Sequence, residues 1–435
     1  MTTSSWRNWA GTETAEPTRT LRPGDVEEVA AAVTAAAEDG LRVKAVGSSH
    51  SFSGIAAPDG VQLDMGALDE VVRVDSKSNQ VTVGAGMPLW RLNQVLDAHG
   101  LALENMGDID RQTVSGAIST GTHGTGDRYR GLSWQVQALQ LVLADGSTVH
   151  CSPTERSELF KAARLGLGAL GVITEVTIQA TPAFKLQAVE RPMRLDAVLE
   201  GLDELVAEND HFEFYWFPHT DRTLTKRNNR YSMQEKRRRP TRLSYWWNEG
   251  FTENTLFEAS NRLGARFPGA VPRLNRVAGR VWSARDYTDI SHKVFASPRR
   301  VVFREMEYAV PREALPEVLT ELKTTVDERG FNVSFPVEIR FAAADEIWLS
   351  TAYGRRTAYV AVHQYHRHPH EEYFEAAAEI FDAVKGRPHW GKMHWLDAKQ
   401  LADRYDRFED FLTVRDKTDP DRRFANPYLE RVLGP

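Results

Sequence analysis

Two runs of small residues limit what this chain can become more than any other feature in it. The first, Gly47-Ser48-Ser49-His50-Ser51-Phe52-Ser53-Gly54, follows the short apolar-rich stretch Leu41 to Val46, which reads as a strand ending in a loop. Residues this small let backbone come close to a ligand. The second run, Ser115-Gly116-Ala117-Ile118-Ser119-Thr120-Gly121-Thr122-His123-Gly124-Thr125-Gly126, adds hydroxyls to accessible N–H groups, a composition able to cradle phosphate. Taken singly, each is equally well a turn-rich loop, and a lone histidine such as His50 is ordinarily just hydrogen bonded or solvated. Taken together, about 70 residues apart, they supply the several backbone walls that a bulky dinucleotide needs.

Composition narrows the classes further. Hydrophobic residues make up 41% of the 435 and charged ones 26%, which describes a globular chain rather than a disordered one. With 60 acidic residues against 54 basic, the formal charge of -6 gives no overall pull toward nucleic acid or an anionic membrane. One cysteine, Cys151, excludes an intrachain disulfide, a thiolate zinc cluster or an iron–sulfur site built by one chain, and fits a reducing compartment. Met1 to Ala10 has no apolar run of signal type, and no stretch approaches the roughly 20 apolar residues of a membrane span, so the expected location is the cytoplasm. The stretch Lys226 to Arg242 holds Lys226, Arg227, Arg230, Lys236, Arg237, Arg238, Arg239 and Arg242 against Glu235. It reads as a solvated loop or helix face, with an anionic partner as the alternative.

The elements alternate as in an α+β chain. Asp25 with Glu28 opens a helix through Val26, Val29, Val33 and Ala37 that Gly40 closes. Strand-like runs follow at Val61 to Met65, Val71 to Asp75 and Gln80 to Gly86. Val136 to Ala144 meets Thr148 to Cys151 through the hairpin signal Asp145-Gly146-Ser147, and Val172 to Ala180 is a further strand. The texture changes near residue 183, where a second domain begins. Gly166-Leu167-Gly168-Ala169-Leu170-Gly171, with Glu190 about 20 residues on, satisfies the dinucleotide fingerprint in letters only. A helical pattern, Thr154 to Arg164, precedes it and a strand follows, the reverse of the required strand-then-helix order, so a Rossmann site is not expected.

Val46 to Ile55, Glu104-Asn105-Met106-Gly107-Asp108, Gly116 to Gly126, Glu338-Ile339-Arg340, Arg387-Pro388-His389-Trp390-Gly391-Lys392 and Asp419-Pro420-Asp421-Arg422 to Tyr428 carry a resemblance in their order. From about Trp6 to the C-terminus the chain resembles the sugar-oxidising branch of the vanillyl-alcohol-oxidase-type flavoproteins, close to aldonolactone and alditol oxidases. The resemblance implies an α+β fold: a two-subdomain FAD-binding domain over 1–182, an α+β substrate domain over 183–385, and a segment 386–435 that completes the FAD domain and active site. It further implies that His50 carries the flavin through an 8α-methyl bond, and that Gly47, Ser48, Ser49, Ser51, Phe52, Gly116, Gly121, Thr122, His123 and Gly124 wrap the cofactor. By the same resemblance Val46, Asp108, Ser115, Ser119 and His389 lie against it, and Val172 and Ile173 hold the adenine side. One departure stands out: many relatives have Gly where this chain has Ser49, and a positive φ there is strained for serine. Non-covalent FAD is the alternative.

On the substrate side, Glu338 and Arg340 lie two apart in the strand-like stretch Val333 to Phe341, so both face one way while Val337 and Ile339 face the other. From spacing alone this is equally a plain ion pair; the resemblance assigns both to the substrate. Lys392 sits in a run with His389 and His394 beside Trp390, an unusual composition for surface, and the resemblance sets it over the flavin. Lys392, helped by Arg340, is expected to take or relay the hydroxyl proton, and Glu338 to orient neighbouring hydroxyls. His363 stands near a sugar-contacting position of the family. His366, His368 and His370 read as an exposed turn, and no metal site is expected. The implied activity is oxidation of CH–OH in a small polyhydroxylated substrate, an aldonolactone first, with dioxygen (giving hydrogen peroxide) or another acceptor taking the electrons. Alditol or nucleoside oxidation and a non-catalytic flavin- or sugar-binding protein are the alternatives. No oligomeric state is implied.

Overall fold

A computed structural model describes residues 5–236, 238, 257–281, 284–297 and 301–435. Helix α1, Val26–Glu38, starts where expected: the Asp25 side chain accepts from the Glu28 amide at 2.8 Å, and the Glu28 carboxylate accepts from the Gly24 amide at 2.7 Å. Val29, Ala32, Val33 and Ala36 recur at helical spacing and are buried with Val43, Val61 and Leu63. Those last residues belong to a parallel three-stranded sheet of β1, Arg19–Leu21, β2, Arg42–Val46, and β3, Gly60–Asp64, with β3 central. Strand β2 ends directly in the first small-residue loop.

An antiparallel sheet follows, made of β4, Val71–Asp75, β5, Gln80–Gly84, β6, Val136–Val142, β7, Thr148–Cys151, and β8, Val172–Gln179, in the order β7-β6-β8-β5-β4. The β6–β7 hairpin turns at Gly146, whose φ of 80° needs glycine, and Asp145 accepts from the Ser147 amide at 2.9 Å. The second small-residue run forms helix α2, Val114–Thr120, and the loop after it. Helix α3, Ser157–Ala163, precedes the Gly166–Gly171 run and β8 follows it, the order that excludes a Rossmann turn. Glu190 pairs with Arg285 at 2.6 Å.

The remainder builds one antiparallel sheet of eight strands: β9, Lys185–Arg194, β10, His211–Trp216, β11, Arg222–Tyr231, β12, Arg285–Ile290, β13, Phe303–Pro311, β14, Val337–Ala342, β15, Thr357–Tyr365, and β16, Arg387–Pro388. Its order is β12-β9-β11-β10-β14-β15-β13-β16. Helices α4, Leu315–Glu328, and α5, Glu371–Ala383, share a core with one face, where Tyr308 stacks on Phe381 at 5.1 Å. The C-terminal segment returns to the first sheet: the Val43 amide donates to Arg423 O at 2.8 Å, and Asn426 Nδ2 donates to Gly54 O and Ala57 O, each at 2.9 Å.

Two expectations are corrected here. Lys226, Arg227 and Arg230 are not on a solvated loop but in β11. Lys226 pairs with the buried Glu213 at 3.2 Å, and the Arg230 guanidinium lies 4.1 Å from the Phe184 ring centre. A carboxylate and an aromatic face replace the water these cations give up. Lys236 and Arg238 are exposed, while Arg237, Arg239 and Arg242 lie outside the described residues. His368 and His370 are buried rather than in an exposed turn, and Arg304 donates to His370 Nδ1 at 2.7 Å. Among the described residues, no helix is long and apolar enough to cross a membrane.

Candidate active site

The first loop and α2 approach so closely that a Cβ on Gly47 would collide with Thr113 Oγ1, so glycine there is a packing requirement. Between them opens a concave chamber walled by both segments. Gly47, Ser48, Ser49, His50, Ser51, Ser115, Gly116, Ser119 and Ile173 line it, as expected. The amides of Ser48, Ser49, His50 and Ser51 meet no acceptor among the described residues, which leaves a row of donors on the wall. Ser49 takes φ 56°, the strained conformation anticipated from its side chain. Leu167, Gly168 and Gly171 also line the chamber. The glycine run set aside as a Rossmann motif therefore contributes to the site by another geometry.

His50, Ser51, Gln112 and Thr120 border a second chamber as well. Phe52, Asp108, Thr122, His123, His389, Arg340 and Lys392 line this one, together with Glu307. The polar face of the eight-stranded sheet closes it. Because side chains alternate, Glu213 and Tyr215 of β10, Glu338 and Arg340 of β14, Tyr359 and His363 of β15, and Glu305 and Glu307 of β13 share that face.

The electrostatics divide into two clusters. Arg340 reaches Glu338 at 2.6 Å and Asp108 and Glu213 at 3.2 Å each. Burial works against its charge, but those three carboxylates outweigh burial and raise it well above the ordinary arginine value, so Arg340 is a fixed cation. Tyr215 donates to Glu338 at 2.7 Å. In the second cluster Lys392 Nζ lies 2.5 Å from Glu305 and 3.9 Å from Glu307. Burial would raise the Glu305 carboxyl, but Lys392 and His363 overcome it and hold the group at about 2. Glu307 is likewise held far below the carboxylate range, its burial outweighed by His123 and Lys392. His123 puts Nε2 2.5 Å from Glu307 and Nδ1 2.9 Å from Gly124 O, while its ring stacks on Tyr359 at 3.5 Å. Burial pushes His389 down to about 3; its Nδ1 accepts from the Gly391 amide at 3.1 Å, so the neutral ring carries its proton on Nε2.

Six expected residues line neither chamber. Val46 and Val172 are core residues, and Gly121 caps α2 at φ 80°. A Cβ on Gly124 would strike Asn105 and Met106 O. Glu338 lies behind Arg340, and His363 lies behind Glu305 at 3.4 Å, with its Nδ1 donating to Pro336 O at 3.0 Å. Sequence reasoning missed Glu213, Glu305 and Glu307. The signal was present: Glu305-Met306-Glu307 shows the same alternation that singled out Glu338 and Arg340.

A chamber walled by free amides and small residues, sharing His50, Ser51, Gln112 and Thr120 with a second chamber rich in buried charge, has the form a dinucleotide cofactor needs, and residues 17–152 match the family described as FAD binding domain. The protein is an FAD-dependent oxidoreductase. Residues 176–432, more than half of the chain, match D-arabinono-1,4-lactone oxidase, and the chain belongs to that family. It is 45% identical to an L-gulono-1,4-lactone dehydrogenase of Mycobacterium tuberculosis over 99% of each chain, and 36% identical to an L-gulonolactone oxidase of Bos taurus over 98% of each. The structure of a solvent-stable cholesterol oxidase shares the fold, with a TM-score of 0.83 at 19% identity over 99% of this chain and 97% of that one. The residues present fit FAD: the amides of Ser48 to Ser51, which meet no acceptor among the described residues, suit its diphosphate.

Proposed function

We propose that this protein oxidises a CH–OH group of an aldonolactone of the L-gulono- or D-arabinono-1,4-lactone type, with FAD attached through His50. The observation that carries the reading is the position of His50 on the wall shared by the two chambers, within reach of a cofactor that spans both. Burial, aided by Arg111 and Lys392, lowers the His50 imidazole below its ordinary value, so at neutral pH a ring nitrogen offers its lone pair. In this reading residues 1–182 hold the cofactor, 183–385 supply the substrate wall, and 386–435 return to complete both.

Bound FAD supplies the hydride acceptor. Arg340, permanently charged, donates hydrogen bonds to substrate oxygens and fixes their orientation. Glu338 and Asp108 hold its fork in place. Lys392, its Nζ held 2.5 Å from Glu305, takes or relays the hydroxyl proton as the carbonyl forms, and His389, neutral, borders the same space. Electrons pass on to dioxygen or to another acceptor; peroxide release in air-saturated buffer distinguishes the two.

The test is the visible spectrum before and after acid precipitation, followed by anaerobic addition of L-gulono-1,4-lactone or xylitol in separate cuvettes. Yellow colour retained in the pellet and bleaching by the lactone are expected. Bleaching by xylitol alone would replace the lactone with an alditol, and a colourless protein that FAD cannot reconstitute would remove the flavoenzyme reading.

A further inference from the structure

The loop that carries His50 is braced from outside the cofactor cradle by the N-terminal segment. Trp6 and Arg7 pair with Thr14 and Ala15 in a two-stranded ribbon, and the turn between them lies across the loop. The Trp6 indole Nε1 donates to Ser49 Oγ at 2.9 Å, and the Trp9 amide donates to Ser49 O at 2.8 Å. Asn8 Nδ2 donates to Ser51 O and Thr12 Oγ1 to Phe52 O, each at 2.9 Å. The Trp9 ring lies 5.9 Å from the His50 ring. Residues on both sides of His50 are thus tied down, while His50 itself borders both chambers.

Ser49 is the residue that needs the brace. Its φ of 56° is a conformation glycine takes freely and a residue with a Cβ resists. Relaxing Ser49 to negative φ would rotate the following peptide and carry the His50 ring away from the shared wall. The indole bond is formed by the side chain that distinguishes serine from glycine, so it opposes that relaxation at the atom where it would begin.

We infer that Trp6 is a positioning residue for flavin attachment: by holding Ser49 at positive φ through its indole N–H, it aims His50 at the flavin 8α carbon. This rests on the covalent reading of His50 given above. In that step a bond forms between a His50 ring nitrogen and the 8α carbon, and the imidazole N–H and one methyl C–H break. Both hydrogens and the electron pair end on the flavin ring, which dioxygen then reoxidises.

The experiment measures, for full-length protein, total flavin per chain and the fraction that stays with the pellet after acid precipitation. Wild type is expected to retain nearly all of its flavin. Trp6→Phe, which keeps an aromatic ring but loses the donor, and Ser49→Ala, which keeps Cβ but loses the acceptor, should each lower the retained fraction at least threefold, and in Trp6→Phe, which lies outside the cradle, total flavin per folded chain is kept. Ser49→Gly should retain flavin as wild type does, and combined with Trp6→Phe it should restore the retained fraction, because glycine needs no brace. Full retention in Trp6→Phe or Ser49→Ala, or a double variant as poor as Trp6→Phe, would overturn the inference. If Trp6→Phe does not fold, the contrast between Ser49→Ala and Ser49→Gly decides alone: a difference supports the inference and equality overturns it. Wild-type flavin that is wholly extracted by acid would instead overturn the covalent reading itself.

Discussion

Replacing Lys392 with methionine tests the second chamber most directly, because the substitution keeps an unbranched side chain only one atom shorter and removes one charge. Lys392 Nζ is 2.5 Å from Glu305, which is only 3% exposed. Burial would raise the Glu305 carboxyl, but Lys392 and His363 together hold it at about 2 against an ordinary 4.5, so the folded protein favours the ionised form. Removing one partner of such a buried pair leaves the other charge uncompensated and costs roughly 3–5 kcal/mol. Lys392→Met should therefore unfold in urea with about 3 kcal/mol less stability at pH 7. The sign follows from linkage. In the wild type the folded carboxyl lies below its unfolded value, so its stabilisation is complete above about pH 4.3 and is lost only as pH falls toward 2. In the variant, burial is less opposed and raises the carboxyl, so the deficit is full at neutral pH and shrinks as acid protonates Glu305. Glu305→Gln in the Lys392→Met background should recover most of the stability, since no carboxylate is left unpaired. Flavin reduction by substrate, followed anaerobically by stopped flow, should slow about 10²- to 10⁴-fold in Lys392→Met and stay slow in the double variant. A double variant that regains the wild-type rate, or Lys392→Met reducing flavin as fast as wild type, would refute a role for Lys392 in the chemistry.

Three further outcomes are expected. His50→Ala should bind flavin that acid precipitation releases into the supernatant, with the folded protein still yellow beforehand; colour retained in the pellet would place the link elsewhere. Arg340→Lys keeps the charge but loses the planar fork that meets Glu338, Asp108 and Glu213, so initial-rate kinetics should show a KM for lactone raised at least tenfold, with flavin content unchanged. Lys44 is 3% exposed, and burial, reinforced by Arg415 and opposed by Asp419, pushes it down to about 7, well below the unfolded value near 10.4. Between those values the unfolded chain binds a proton that the folded chain has released. Lys44 therefore makes stability rise with pH over that window by up to about 1.4 kcal/mol per pH unit, and Lys44→Met should flatten urea stability measured between pH 7 and 9.

Much of the architecture could be read from local pattern, because capping, turn chemistry and alternation act over a few residues. The α1 boundaries follow from Asp25, Glu28 and Gly40, and the β6–β7 turn from Asp145-Gly146-Ser147. The Gly166–Gly171 run shows the limit of such reading: its local order correctly argued against a Rossmann turn, yet Gly168 and Gly171 still reach the cofactor chamber. The basic stretch failed for a related reason. Charge density along the chain says nothing of a partner such as Glu213, which lies on the neighbouring strand and lets Lys226 be buried.

The sequence by itself determined the two runs of small residues, the histidine at the tip of the first, the shared strand face of Glu338 and Arg340, and membership of the family. These depend on residue identity and short spacing. Only the tertiary structure decided that Arg340 is locked among three carboxylates, that Lys392 is paired with Glu305 rather than free, and that His363 and Glu338 stand behind the residues that line the chamber. It also decided that Trp6 reaches Ser49 across 43 residues. The physical reason is common to all of them: the state of a buried charge or a strained peptide is set by the groups within a few ångströms, and in an eight-stranded sheet most of those groups come from distant parts of the chain.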